Sequence, residues 1–307
     1  MDKKWTSVLV IVIILVFVSY IVFDLTIKKS KEPGTNASDT SHYVDQWEIS
    51  KIFEPGLGKL EAVAVGPEGK IILGGSSFVS AYDADLKLRW SVITGRPVTA
   101  VAAAGDSVLA STYTTLMLLK GDGSTITEWG PFGDSSLITS IAANRRFIAI
   151  ADAQNKTVYL LKKSGELVKI IGTSGEPFII PSPFFDVALS GDDNLYVANT
   201  GNFRIERRNI EGTLLSYFGE PDMSANGFSG CCNPSHFALL PQGFVTAEKG
   251  LNRLKILDQK GQFVEFVSVN NNFQRAIPLD VASADGKTIY AANPADSKLY
   301  IFKRKVK

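Results

Sequence analysis

"FFDVALSGDDNLYVAN", residues 184–199, reads as two short strands joined by a turn. Val, Phe, Tyr and Leu crowd the two halves, and Gly191, Asp192 and Asp193 supply the reversal between them. The first half recurs as "LEAVAV" at 60–65, "VTAVAA" at 98–103, "ITSIAA" at 138–143, "PSHFAL" at 234–239 and "PLDVAS" at 278–283. A second strand follows each time: "KIILGG", "SVLAST", "FIAIAD", "GFVTAE" and "TIYAAN". Superposing the units aligns Ala64, Ala102, Ala142, Ala188, Ala238 and Ala282, spaced 38 to 50 residues apart, the length of a four-stranded propeller blade. A small residue at one fixed place has a packing reason. The innermost strands of a propeller crowd together near the axis, where a bulky side chain does not fit.

Third strands such as "TVYLLK" and fourth strands such as "LLSYFG" complete most units. The sixth unit lacks a fourth strand, while an unassigned strand, "QWEISKIFE" at 46–54, precedes the first. Pairing that strand with the last unit closes the ring and leaves no open sheet edge. The expected fold is therefore an all-β, six-bladed β-propeller over 46–307, closed by the strand at 46–54.

Two blades carry a family resemblance. "NLYVANTGNFRIERRNIEGTLLSYFG", 194–219, resembles an NHL repeat, with Asn199, Gly201, Asn202, Arg204, Ile205, Gly212 and Gly219 at the positions that motif prefers. "GFVTAEKGLNRLKILDQKGQFVEFV", 243–267, resembles it with Arg253 in the arginine place; blade three has Thr157 there. The first two blades match poorly, and "AYDADLKLRW" in blade one instead resembles the repeat of quinoprotein propellers. The NHL resemblance implies that Arg204 and Arg253 brace neighbouring blades. It also brings in metal-dependent relatives, a zinc-dependent amidating lyase and calcium-dependent lactonases. The lyase's histidine-rich zinc site has no counterpart, because this chain has only His42 and His236.

Ahead of the propeller lies "WTSVLVIVIILVFVSYIVF", residues 5–23, without a charge and long enough to cross a bilayer as a helix. No small-x-small cleavage signal follows, so residues 1–25 read as an uncleaved transmembrane signal anchor and not as a cleaved leader. The very short N-terminal flank favours a cytoplasmic N-terminus, with the propeller on the extracytoplasmic, periplasmic or extracellular side. Residues 26–45, with Pro33 and Gly34 and no periodicity, read as a flexible linker whose reach is roughly 25 Å. Lys plus Arg number 32 against 31 Asp plus Glu, which gives no field to attract nucleic acid.

Propeller geometry sorts the loops. The starts of the inner strands and the ends of the second strands share one face around the central opening. Two residues before the aligned alanines stand Ala62, Ala100, Ser140, Asp186, His236 and Asp280, so blades four to six place Asp186, His236 and Asp280 side by side. The second-strand ends add Asp152, Asn199, Glu248 and Asn293, with Lys249 adjacent, as an expected binding face.

"FSGCCNPSHF", 228–237, enters blade five on this face. Thiolate and imidazole at Cys231, Cys232 and His236, with Asp186 or Asp280 from a neighbouring blade, are donors that suit zinc or copper. Carboxylates and amides of the same face suit calcium. Two other readings of the cysteines stand beside this: small apolar fillers of a turn, or a redox pair. Asp186 and Asp280 have their own alternative, as caps on loop amides. No complete catalytic motif is present. The sequence thus points to a membrane-tethered module that binds a protein of the cell envelope or a small ligand through its funnel face. A metal-dependent enzyme or redox accessory is the alternative.

Overall fold

The computed structural model describes residues 43–306, together with Val16 and Ser19, which are helical. Apart from those two residues, the signal anchor expected at 1–25 lies outside the described residues, as does most of the linker. Among the described residues, no helix is long and apolar enough to cross a membrane.

The described chain is a six-bladed β-propeller. After β1 (Trp47–Phe53), blade one is β2 (Leu60–Val65), β3 (Ile71–Gly75), β4 (Phe78–Tyr82) and β5 (Leu88–Ile93). Blade two is β6 (Ala100–Ala104), β7 (Ser107–Ser111), β8 (Leu116–Leu119) and β9 (Thr125–Trp129). Blade three is β10 (Ile138–Ala143), β11 (Phe147–Asp152), β12 (Thr157–Lys162) and β13 (Leu167–Ile171). Blade four is β14 (Val187–Leu189), β15 (Leu195–Asn199), β16 (Arg204–Arg208) and β17 (Leu214–Phe218). Blade five is β18 (His236–Leu240), β19 (Gly243–Glu248), β20 (Arg253–Asp258) and β21 (Phe263–Ser268). Blade six is β22 (Asp280–Ala282), β23 (Thr288–Asn293) and β24 (Lys298–Arg304), with β1 as its outer strand in the order β1-β24-β23-β22.

β1 runs antiparallel to β24, with Trp47 opposite Arg304 and Phe53 opposite Leu299. The first strands touch one another all round the ring, β2 to β6 and onward through β22 back to β2. All six aligned alanines line the axial channel, a cavity of about 330 Å³. The alanine period thus records how close the strands come at the axis.

Apolar side chains of the two middle strands fill the space between blades: Leu73, Leu109, Ile150, Val197 and Ile256 are almost fully buried. Outer strands β5, β9, β13 and β17 are mostly exposed, but β21 ends in a buried run. The reason is the chain entering the ring. Asp45 bridges Phe266 in parallel, the Tyr43 and Phe266 rings lie 4.6 Å apart, and Trp47 Nε1 donates to Glu265 at 2.9 Å. Tyr43 and Asp45, assigned to the linker by their polar surroundings in sequence, already pack on blade five.

A recurring glycine locks each of blades two to five to the one before. Gly165 and Gly261 sit in the turns before the fourth strands with φ of +88° and +80°. A Cβ would come within 2.1 Å of Trp129 in the first case and 2.2 Å of Phe218 in the second. The position demands both the left-handed backbone and the missing side chain.

Candidate functional site

The slot two residues before each alanine forms a ring at one end of the channel. Ala62 and Ala100 occupy it in the first two blades, and polar groups occupy it from Ser140 onward. Ser140 Oγ donates to Asp186 Oδ1, which also accepts from the Val187 amide at 2.9 Å. Asp186 Oδ2 accepts from the Phe237 amide of blade five at 2.7 Å. Asp280 Oδ2 accepts from the Val63 amide of blade one, also at 2.7 Å. The carboxylates therefore cap amides of the next blade's inner strand. The capping alternative is realised, with a neighbouring blade as partner in place of a loop.

His236 sits between the two carboxylates, with Nδ1 3.7 Å from Asp186 Oδ2 and 3.5 Å from Asp280 Oδ1. Burial pushes the Asp186 carboxyl above its ordinary range, opposed by the His236 ring and the Ser140 hydroxyl. Burial likewise raises Asp280 to about 6; His236 pulls it down and Asp186 pushes it up. Low-dielectric surroundings outweigh the available hydrogen bonds here.

Outward from His236 the funnel opens into a mouth of about 320 Å³, lined by Pro97, Tyr113, Pro183, Phe184, Ile277 and Pro278. Lys249 Nζ lies 4.7 Å above the Phe184 ring, which meets His236 edge-on at 6.2 Å. His236 lines both mouth and channel, so it stands at the constriction between them. This apolar rim escaped the sequence reading, although a signal exists: Pro97, Pro183, Pro234 and Pro278 each stand four or five residues ahead of an aligned alanine.

The metal-ligand set expected from sequence divides in two. Asp186, His236 and Asp280 come together, but Cys231 and Cys232 line neither the mouth nor the channel. Cys231 is exposed and Cys232 buried, and both are free thiols. Among the described residues, no three His, Cys, Asp or Glu side chains are grouped so as to hold a metal ion. The physical reason is that backbone amides claim three of the four carboxylate oxygens and the loop turns the sulfurs elsewhere. The residues do not fit the zinc, copper or calcium site expected of them.

The expected binding face needs a similar correction. Asp152, Asn199, Glu248 and Asn293 are buried. Asp152 accepts from the amides of Leu137, Gln154 and Asn155 at 3.0 to 3.1 Å, and Asn293 from Ala295 at 3.1 Å. Asn199 accepts from the Ile179 amide at 2.9 Å and donates to Glu206 at 2.7 Å. Glu248 pairs with Arg253 at 2.6 Å and Lys255 at 3.1 Å, all three wholly buried. These residues build the loops of the face; of the set, only Lys249 reaches its surface.

Arg204 and Arg253 act within their own blades and not as braces to a neighbouring one. Arg204 pairs with Glu206 of its own strand at 2.7 Å. Arg253 donates to the carbonyls of Met223, Ser224 and Gly227, in the loop that enters its own blade from blade four.

No protein-family model matches the chain, and no curated protein matches it in sequence. Solved structures match its fold. Virginiamycin B lyase from Staphylococcus aureus superposes with TM-score 0.60 at 14% identity, over 84% of this chain and 99% of the other. A catalytically inactive histidine-to-alanine variant of that lyase with quinupristin gives 0.60 at 13%, over 84% and 99%. A chain of the mitotic checkpoint complex gives 0.59 at 9%, over 83% and 91%. At such identities the likeness concerns the fold alone, and it extends to an enzyme and to a component of a protein complex.

Proposed function

We propose that this chain is a membrane-tethered, extracytoplasmic propeller that binds a small ligand, or a projecting segment of an envelope protein, in the funnel mouth. The observation that carries the reading is the mouth itself. An apolar rim of prolines and Phe184 narrows onto a polar floor of His236, Asp186 and Asp280, the combination by which concave sites gain both affinity and orientation. Residues 5–23 would hold the domain at the membrane, and blades four and five are read as NHL-like from the arginine place that Arg204 and Arg253 hold in that motif.

Photo-crosslinking side chains placed at Tyr113 and Ile277, at the mouth, and at Glu68, on the opposite face, test the reading in intact cells. Adducts from the mouth positions alone, weakened by His236→Ala, are the expected outcome. Equal yields from both faces would overturn it. Deleting residues 1–25 is expected to release the chain from membranes, and retention there would remove the anchor.

A catalytic reading has one observation in its favour, the imidazole held between two carboxylates with Nε2 on its opposite edge. Turnover by the purified chain that His236→Ala abolishes would replace the binding module with an enzyme.

A further inference from the structure

Neither the ring of inner-strand slots nor the mouth uses the two cysteines, yet their setting is specific. Cys231 is exposed and Cys232 buried, so one thiol can be reached from solvent while its neighbour waits behind it. Cys232 has φ of +72°, a left-handed conformation uncommon for a residue with a Cβ, so the turn at the pair is already tightly bent. Two polar groups face the Cys232 sulfur: the Cys231 thiol and the Ser182 hydroxyl. The Ser182 oxygen is buried and makes no hydrogen bond of its own. Two thiols and a buried hydroxyl with no hydrogen-bond partner elsewhere lie together, an arrangement that apolar filling does not require.

We propose that Cys231 and Cys232 are a reversible modification site that exchanges with a small-molecule disulfide and closes to a vicinal disulfide. In the first step the Cys231 thiolate attacks one sulfur of the incoming disulfide. The incoming S–S bond breaks, one thiolate leaves and takes up a proton, and a mixed disulfide remains on Cys231. Cys232 then loses its proton and attacks Cys231 Sγ, expelling the second thiol. The two cysteines are oxidised by two electrons and the incoming disulfide is reduced to two thiols. Adjacent Cα atoms lie about 3.8 Å apart, short of the 4.4 Å at which ordinary bridges begin, so the ring is strained and readily reduced again. Easy reversal is the property that separates this pair from a structural bridge.

The loop gives the exchange somewhere to act. Asn233 donates to the carbonyls of Ser229 and Lys249, the latter at 2.9 Å, and accepts from the Lys249 amide at 3.0 Å. Lys249 in turn lies over Phe184, two residues beyond Ser182 and against His236. Closing the ring bends the chain next to Asn233 and carries the change to the mouth. This consequence rests on the funnel reading above, while the chemistry at the sulfurs does not.

Oxidised glutathione applied to the full-length chain, followed by intact mass and peptide mapping, tests the exchange. Wild type is expected to lose two hydrogens on the peptide holding Cys231 and Cys232, and to regain them with dithiothreitol. Cys232→Ser is expected to stop at a glutathione adduct on Cys231, and Cys231→Ser not to react. Matching melting curves for both variants keep the comparison free of misfolding. A wild-type chain that stops at the adduct, links to a second chain through Cys231, or does not react overturns the site. If the bridge forms but crosslinking yield at Tyr113 is the same in both redox states, the coupling to the mouth is overturned while the modification stands.

Discussion

Blades one to three and blades four to six follow one strand plan but treat the funnel face differently. The loops between blades in the first half are residues 94–99 and 130–137; those leading into blades four, five and six are 172–186, 219–235 and 269–279. Longer loops carry more backbone carbonyls away from any sheet partner, and those must be satisfied. The second half does so with buried cations. Arg208 donates to the carbonyls of Glu176 and Gly212 and stacks on Phe178, while Lys255 donates to Ala225 and Gly227 and lies over Phe228. Glu206 and Glu248 neutralise the two clusters. Burial holds Lys255 down at about 8, even with Glu248 beside it. The polar funnel floor also belongs to this half, so the elaborated loops and the chemically able groups coincide.

The sharpest way to break the contrast is Arg253→Leu. It leaves Glu248 buried with one partner fewer and frees the loop carbonyls of Met223 and Ser224, while Gly227 keeps Lys255, so a loss of about 3–5 kcal/mol is expected in denaturant titrations.

Next in size is the funnel floor. Asp280 binds its proton at about 6 in the folded protein against 3.8 unfolded, so the folded state holds more protons between those values. Stability is therefore expected to fall as pH rises from about 4 to 6, by on the order of 2–3 kcal/mol. Asp186 is raised too and acts in the same direction. In Asp280→Asn the pH dependence should flatten and stability at neutral pH should increase; an unchanged profile would show that the carboxyl is not held out of water.

Gly165→Ala and Gly261→Ala test what the halves have in common. Each puts a methyl group against an aromatic ring of the preceding blade, and similar losses of about 1–3 kcal/mol are expected from thermal melts. A large difference between them would mean that the interlock is not shared.

The smallest effect is expected at Thr157, which holds in blade three the place of Arg204 and Arg253. Its hydroxyl is buried without a partner, so Thr157→Val should be neutral or stabilise by about 1 kcal/mol. A clear loss would reveal a hydrogen bond that the geometry lacks.

The same contrast explains what could be read from the residues. Crowding at the axis constrains one position in every blade, so Ala64 through Ala282 displayed the period directly. Asp186, His236 and Asp280 were legible for the same reason, since they share one slot of a repeated strand. Asp152, Asn199, Glu248 and Asn293 were read as a binding face, whereas their buried side chains bond loop amides and neighbouring side chains. At a strand end a polar side chain can turn to solvent or to the amides of the following loop, and only the folded loop decides. The cysteines depended on something remoter still. Their loop, 219–235, is held by Arg253 and Lys255, residues that follow it in the chain and say nothing locally about where a sulfur will point.

The pairing of β1 with β24 also orders events in time. β1 leaves the ribosome before any blade, and its partner is the last strand of the ring to be made. Until then Ile49 and Ile52 sit on an unpaired strand, and blade six has no outer edge to offer. The nascent domain must therefore wait as an open arc of finished blades, and the step that seals it is the longest-range contact in the fold.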